Sequence, residues 1–177
     1  MKKTAILIVF LLCTSNIFAQ AKDSLILFTK RVEWSSFKGI PDSDTLGARI
    51  STSIHLEVHK VNAWGGALHF KAYALMDPIK SWVRPGYEDQ YTLQHEQTHF
   101  NLTEMSARGL QSELNQMKLK SKKSASIQAS IAKWQSKLEV LQKQYDLETR
   151  GGNDRIAQKI WNEKIIAELN TTGMLKK

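Results

Sequence analysis

The segment His95-Glu96-Gln97-Thr98-His99 contains the residue types that bind a divalent metal ion and activate a water molecule. On a helix, His95 and His99 stack on one face, about 40° apart around the axis, so their imidazoles can hold one zinc ion. Glu96 is turned by about 100° from His95 and can reach a zinc-bound water instead of the metal. Zinc lowers the pKa of such a water, and the glutamate takes its proton. The segment therefore predicts a zinc-dependent hydrolase with Glu96 as general base.

Two histidines leave such a site incomplete, because a catalytic zinc usually has three protein ligands and one open position. None of the five histidines lies beyond His99. On a straight helix Glu104 is about 180° from His95, so we predict that it faces away as a structural or solvent-facing residue. The candidates for the third ligand are Glu148 and Asp146, near the end of a later helix. Glu148 is the first choice because it falls about 60° from that helix's apolar stripe, against about 100° for Asp146.

A second group of metal-ligand residue types lies earlier in the chain. His55, Glu57 and His59 alternate along a predicted strand and share one of its faces. They could form a second metal site, but partly exposed polar residues of a sheet are the favoured interpretation. We assign no role to His69, on the polar face of the next strand.

The elements that must position these residues follow from periodicity. Residues 50–58 and 67–76 alternate between apolar and polar side chains, and the turn signal Ala63-Trp64-Gly65-Gly66 separates them. This pattern predicts an antiparallel hairpin with one buried face. Residues 24–29 are a candidate for a further strand.

After Gly86 the pattern becomes helical. The first helix is predicted over residues 88–117 and carries the histidine pair. The second has an apolar stripe with spacings of three and four, which indicates a core-packing seam: Ile127, Ile131, Trp134, Leu138, Leu141 and Tyr145. Gly151-Gly152 ends it, and Asn153 or Asp154 caps a third helix. Strands followed by helices predict an α+β fold, a hairpin or sheet and then three helices, with a zincin-like active-site helix.

The first 21 residues have the layout of a secretory signal peptide. Lys2 and Lys3 precede an apolar run over residues 5–13, and Ala19-Gln20-Ala21 offers a cleavage site. The run is shorter than the about 20 residues of a membrane-spanning helix. We therefore expect a secreted or periplasmic protein without a membrane span after cleavage, with residues 22–177 forming a single domain.

Composition narrows the classes of partner. The chain has 177 residues, 42% of them hydrophobic and 24% charged, which is typical of one globular domain. Its net charge is +8, with lysines concentrated over residues 118–123. We interpret that stretch as solvated, and no nucleic-acid partner is expected because no recognised binding motif accompanies the charge. The only cysteine, Cys13, lies in the predicted signal, so the mature chain has no disulfide.

Several segments together resemble a bacterial family catalogued as domain of unknown function 922 and described as predicted secreted zinc-dependent proteases. The resemblance spans roughly residues 30–170 and implies a zinc site at His95 and His99 with Glu96 as base. Two positions depart from the family pattern. Gly151 stands where the family tends to have a histidine, and Asn101 stands where an aspartate is common. The segments that carry the resemblance are Trp34-Ser-Ser-Phe-Lys-Gly-Ile-Pro41, Ser81-Trp82-Val83, Leu93-Gln-His-Glu-Gln-Thr-His-Phe100, Tyr145-Asp-Leu-Glu-Thr-Arg-Gly-Gly152, and Gln158 with Trp161.

Three functional hypotheses follow. The first is a zinc peptidase whose peptide or protein substrate lies along the edge of the sheet. The second is a catalytically weakened or inactive member that acts as a non-enzymatic envelope or secreted binding module. The third is a structural zinc protein without turnover, which a closed fourth coordination position would favour. The sequence does not specify an oligomeric state.

Overall fold

The computed structural model describes residues 26–27, 31–60, 66–120 and 125–174, with side chains over 31–59, 66–120 and 125–171. The predicted signal peptide, the turn at residues 63–65 and the lysine pair at 122–123 lie outside the described residues. Within the described ranges, no helix is both long and apolar enough to span a membrane.

Five strands form two antiparallel sheets. They are β1 (Ile26–Leu27), β2 (Ala48–Arg49), β3 (Thr52–Lys60), β4 (Leu68–Met76) and β5 (Trp82–Val83). The larger sheet has the order β1-β4-β3, and β2 pairs with β5 in the smaller one. β3 and β4 form the predicted hairpin, with Thr52 opposite Met76 and Lys60 opposite Leu68. A 3-10 helix at Trp34–Ser36 precedes β2.

Three helices follow: α1 (Gln90–Gln116), α2 (Ala125–Thr149) and α3 (Arg155–Met174). The side chain of Asp89 caps α1 by accepting hydrogen bonds from the backbone of Tyr91 and Thr92. Asp154, not Asn153, caps α3, because its carboxylate accepts from the backbone N–H groups two and three residues later. The predicted α+β architecture, strands followed by three helices, is confirmed.

Helix α1 is the centre of the fold, because it packs against β3 and β4 on one side and against α2 and α3 on the other. Phe70 and Ala74 of the sheet are fully buried beneath it. On the helical side Leu102 packs with Tyr145 and Trp161. A helix covered on two sides is a rigid platform, and polar side chains that point from it towards α2 and α3 are held by packing.

Candidate metal centre

His95, His99 and Asp146 form the group with metal-ligand geometry within the described parts of the chain. The Nε2 atoms of the two histidines, both on α1, are 3.2 Å apart. The Oδ1 atom of Asp146, on α2, lies 3.3 Å from Nε2 of His95 and 2.9 Å from Nε2 of His99. Two imidazole nitrogens and one carboxylate oxygen thus converge on one point and could hold a metal ion.

Glutamine side chains from two other helices hold the far side of each imidazole. The Nδ1 atom of His95 lies 3.2 Å from Oε1 of Gln158, whose amide nitrogen donates to the carbonyl of Tyr91. The Nδ1 atom of His99 contacts Oε1 of Gln142. A carboxamide oxygen only accepts hydrogen bonds, so Nδ1 of each imidazole donates to its glutamine. Nε2 is then the nitrogen that faces Asp146 and could bind a metal.

Packing fixes the imidazole of His95 from both sides. The ring of Tyr145 stacks on it, with centroids 4.7 Å apart and planes 21° apart. Gly152, in the loop after α2, lies so close that a Cβ atom there would be 3.2 Å from Cγ and Nδ1 of His95. Gly152 has a φ of 84°, a left-handed conformation that glycine adopts at little cost. The glycine pair therefore ends α2 and also makes room for His95.

Glu96 lines the same cleft but is not one of the three converging ligands. Its side chain is buried, and Oε2 accepts a hydrogen bond of 2.8 Å from the backbone N–H of Ile50. Burial raises the pKa of Glu96, while the charges of His99 and His95 and the hydrogen bond from Ile50 lower it in part. This environment favours a carboxyl group that accepts a proton nearer to neutral pH than an exposed glutamate does.

The charges of His99 and Asp146 are coupled. Burial alone would lower the pKa of His99, but hydrogen bonding to Asp146 and the charges of Glu96 and Asp146 raise it above its ordinary value. For Asp146, burial opposes ionisation, but hydrogen bonds from both histidines hold the pKa well below its usual range. Without a metal, both shifts favour the charged forms, a protonated His99 beside the carboxylate of Asp146.

The structure brings Asp146, not Glu148, to the histidines. Glu148 is exposed, and its carboxylate accepts hydrogen bonds from Trp161 on α3 and from Gln144. The preference for Glu148 as third ligand has to be corrected. Tyr145 of the apolar stripe stacks on His95, but the histidines lie on the side of the stripe that carries Gln142 and Asp146, whereas Glu148 lies on its other side. Asp146 and Gln142 are one helical turn apart, and both contact His99.

Glu104 faces away from the histidines, as predicted. It is buried and structural, not solvent-facing: Oε2 accepts from the backbone N–H of Ala74 on β4, and Oε1 pairs with Arg108. Asn101 does not orient a histidine, since its side chain accepts a hydrogen bond from Gln97, which in turn holds the backbone of Val32.

Gly151, where the resemblance would place a histidine, has a φ of 61°, and open space surrounds the position of an added Cβ. The three candidate ligands, His95, His99 and Asp146, therefore converge without a side chain at position 151. The contacts of Gln142 and Gly152 with the histidines were not predicted, and Gln158 was singled out only by the resemblance. A signal for Gln142 was available, because it precedes Asp146 by one helical turn.

The other histidines lie on the outer face of the hairpin. Oε1 of Glu57 accepts a hydrogen bond of 2.6 Å from Tyr73, and Oε2 lies 3.3 Å from Nε2 of His59. The ring of His55 lies next to that of Tyr73, with centroids 5.1 Å apart. These contacts fit the interpretation as polar sheet residues, because the carboxylate already has protein partners.

A cleft of about 1230 Å³ lies over the group formed by His95, His99 and Asp146. Its floor includes His95, Glu96, His99 and Asp146, and one wall is formed by residues 45–52, which include β2. A second wall is formed by the loop from Arg150 to Asn153 and by Arg155 at the start of α3. The cleft is large enough for several residues of a peptide, and the cluster is open to it.

No family model matches the chain, and no significant match was found among characterised proteins or solved structures. The resemblance to the family of predicted zinc-dependent proteases therefore stays a prediction from the motifs that carry it.

Proposed function

We propose that the protein is a zinc-dependent peptidase. The observation that supports this best is the convergence of His95, His99 and Asp146 on one point, at the floor of an open cleft and beside the buried carboxylate of Glu96. Two imidazoles and one carboxylate match the ligand types of a catalytic zinc site, in which a fourth position is left for water or substrate. A structural zinc site would be closed by a fourth protein ligand.

Each residue has a separate task in this proposal. His95, His99 and Asp146 bind the ion, and Gln158 and Gln142 keep the two imidazoles in the tautomer that leaves Nε2 free. Zinc, when bound, supplies Lewis-acid polarisation of a peptide carbonyl and lowers the pKa of a water molecule.

Glu96 takes and returns the proton. Because the backbone N–H of Ile50 holds Oε2, Oε1 is the oxygen left to accept a proton from water. The same carboxyl can then deliver this proton to the leaving amine. Burial raises its pKa towards the range in which a general base can both take and return a proton.

The test is hydrolysis of a mixed peptide library by the zinc-loaded protein, followed by mass spectrometry, beside the variant Glu96→Gln. We expect cleavage by the wild type and a loss of about 10²–10⁴-fold in the variant, because the near-isosteric amide cannot accept the proton. Zinc content should be the same in both proteins. Bound zinc without cleavage by the wild type would contradict the peptidase proposal and favour the non-enzymatic binding module.

Export of the protein belongs to the same proposal. The first 21 residues fit a cleaved signal, so the peptidase would act in the periplasm or outside the cell. N-terminal sequencing of exported protein should find a start near Gln20 or Lys22, and an intact Met1 would contradict this.

A further inference from the structure

The charged side chains around the cleft are not equally partnered. Arg49 lies 3.2 Å from the carboxylate of Asp42, which also lines the cleft. Lys80 lies 3.5 Å from the carboxylate of Asp77. The remaining cations of the lining, Arg150 and Arg155, are exposed and have no carboxylate of a described residue within the 4.0 Å of an ion pair.

The metal site does not neutralise these arginines. Asp146 and Glu96 are the other carboxylates of the lining, and together they balance the two charges of a divalent ion. In the loaded protein, the wall formed by the loop after α2 and the start of α3 therefore keeps the positive charge of both guanidinium groups. A cleft with low-dielectric walls concentrates such a field and attracts ligands of the opposite sign.

The conformation of Arg150 adds an independent observation. Its φ is 53°, and among the described residues Lys118 is the other non-glycine residue with positive φ. A left-handed conformation costs free energy in a residue with a Cβ atom, and such residues cluster at functional sites. Glycine would adopt it at little cost, yet the chain has arginine here and glycine at the next two positions.

Arg155 is fixed on the same wall. Its guanidinium carbon lies 4.4 Å from the centre of the Tyr91 ring, which also lines the cleft. Stacking on an aromatic ring holds the planar group and leaves its edge N–H donors free, the arrangement that suits bidentate binding of a carboxylate.

We propose that Arg150 and Arg155 form a carboxylate-binding subsite, and that the preferred substrates are peptides with a carboxylate on the α3 side of the metal. This inference rests on the proposed function, because it names the substrate class of the same cleft. The carboxylate comes either from an acidic side chain or from the C-terminus of the peptide, since both present the same group to a guanidinium.

The test measures binding of fluorescein-labelled peptides to the zinc-loaded protein by fluorescence anisotropy. Three peptides of equal length are compared: a glutamate-containing peptide with an amidated C-terminus, its glutamine counterpart, and the glutamine peptide with a free C-terminus. We expect about tenfold tighter binding of one or both carboxylate peptides than of the amidated glutamine peptide, as charge-assisted hydrogen bonds confer. The peptide that gains affinity identifies the source of the carboxylate.

Variants attribute the preference to the arginines. Arg150→Gln and Arg155→Gln should each remove most of the carboxylate preference, whereas Arg31→Gln, an exposed arginine outside the cleft, should keep it. Arg150→Gly should lose the preference while the protein stays folded, since glycine adopts the left-handed conformation without strain. Equal binding of all three peptides, or an equal loss in Arg31→Gln, would overturn the subsite.

The outcome separates this inference from the proposed function. A protein that binds and uses zinc but shows no carboxylate preference refutes the subsite alone. A protein that binds no zinc refutes the peptidase proposal, and the same three peptides then test the arginine subsite on the metal-free protein.

Discussion

Nδ1 of His95 lies 3.2 Å from Oε1 of Gln158, although 63 residues separate them in sequence. The contact joins the helix of the histidine pair to the last helix of the fold. Gln158 is almost fully buried, so its carboxamide cannot be replaced by water without rearrangement. Metal binding at His95 should therefore depend on how α3 packs, in addition to the three ligands.

Gln158→Met should weaken zinc binding by about 10- to 100-fold, the usual effect of removing a partner that orients a metal ligand. Methionine has similar volume but cannot accept the Nδ1 proton of His95. The dissociation constant is measured by competition with a chelating dye. Gln144→Met, on exposed α2 surface, is the control and should leave zinc affinity unchanged. Equal affinity of both variants would contradict the positioning role of Gln158.

The two glycines after α2 provide a matched pair. Gly151→Ala and Gly152→Ala both place a Cβ atom on a left-handed backbone, so each should reduce the free energy of unfolding by about 1–2 kcal/mol. An added Cβ has open space at 151 but is 3.2 Å from the His95 ring at 152. Only Gly152→Ala should therefore weaken zinc binding, by about tenfold or more. Zinc affinity and thermal unfolding are measured for both variants. An equal loss of zinc affinity in Gly151→Ala and Gly152→Ala would contradict the role of Gly152 beside His95.

The pair of His99 and Asp146 predicts a pH dependence of the metal-free protein. The raised pKa of His99 gives stability that is complete below the ordinary value of 6.5 and is lost as pH rises through the folded-state pKa. The lowered pKa of Asp146 gives stability present above 3.8 and lost as pH falls through the folded-state pKa. Both contributions are therefore present in mildly acidic solution.

Asp146→Asn should accordingly lower the unfolding temperature of chelator-treated protein more at pH about 5.5 than at pH about 9, because the charge of His99 that pairs with Asp146 is lost as pH rises. Thermal unfolding followed by circular dichroism measures this. Asp42→Asn serves as the control, because its partner Arg49 stays charged throughout this range. An effect of Asp146→Asn that does not change between these pH values would rule out the charged pair.

The sequence predicted the parts of the fold that periodicity encodes. The alternation over β3 and β4 and the helical spacing in α2 depend on which side chains are buried, which is a local property of each element. The position of Glu104 was also predictable, since it depends only on the geometry of a single helix.

The third metal ligand was harder to predict, because its identity depends on how two helices pack against each other. The face of α2 that meets the histidines carries Gln142, Tyr145 and Asp146, and only one of these is apolar in part. A polar face that meets α1 gives no hydrophobic signal, so the angle from the apolar stripe favoured Glu148. The contacts of His95 with Gln158 and Gly152 likewise join segments about sixty residues apart, and no local pattern encodes them.

The zinc content of the purified protein, with a zinc titration at neutral pH, tests the central claim most directly. We expect a single zinc ion per chain in the wild type and none in His95→Ala. Asp146→Asn should weaken binding by about 100-fold or more, because it removes a charged ligand, while Glu148→Gln should bind zinc like the wild type. The account would be contradicted by a wild type that binds no zinc at micromolar metal. A loss of zinc in Glu148→Gln but not in Asp146→Asn would equally contradict a metal centre formed by His95, His99 and Asp146.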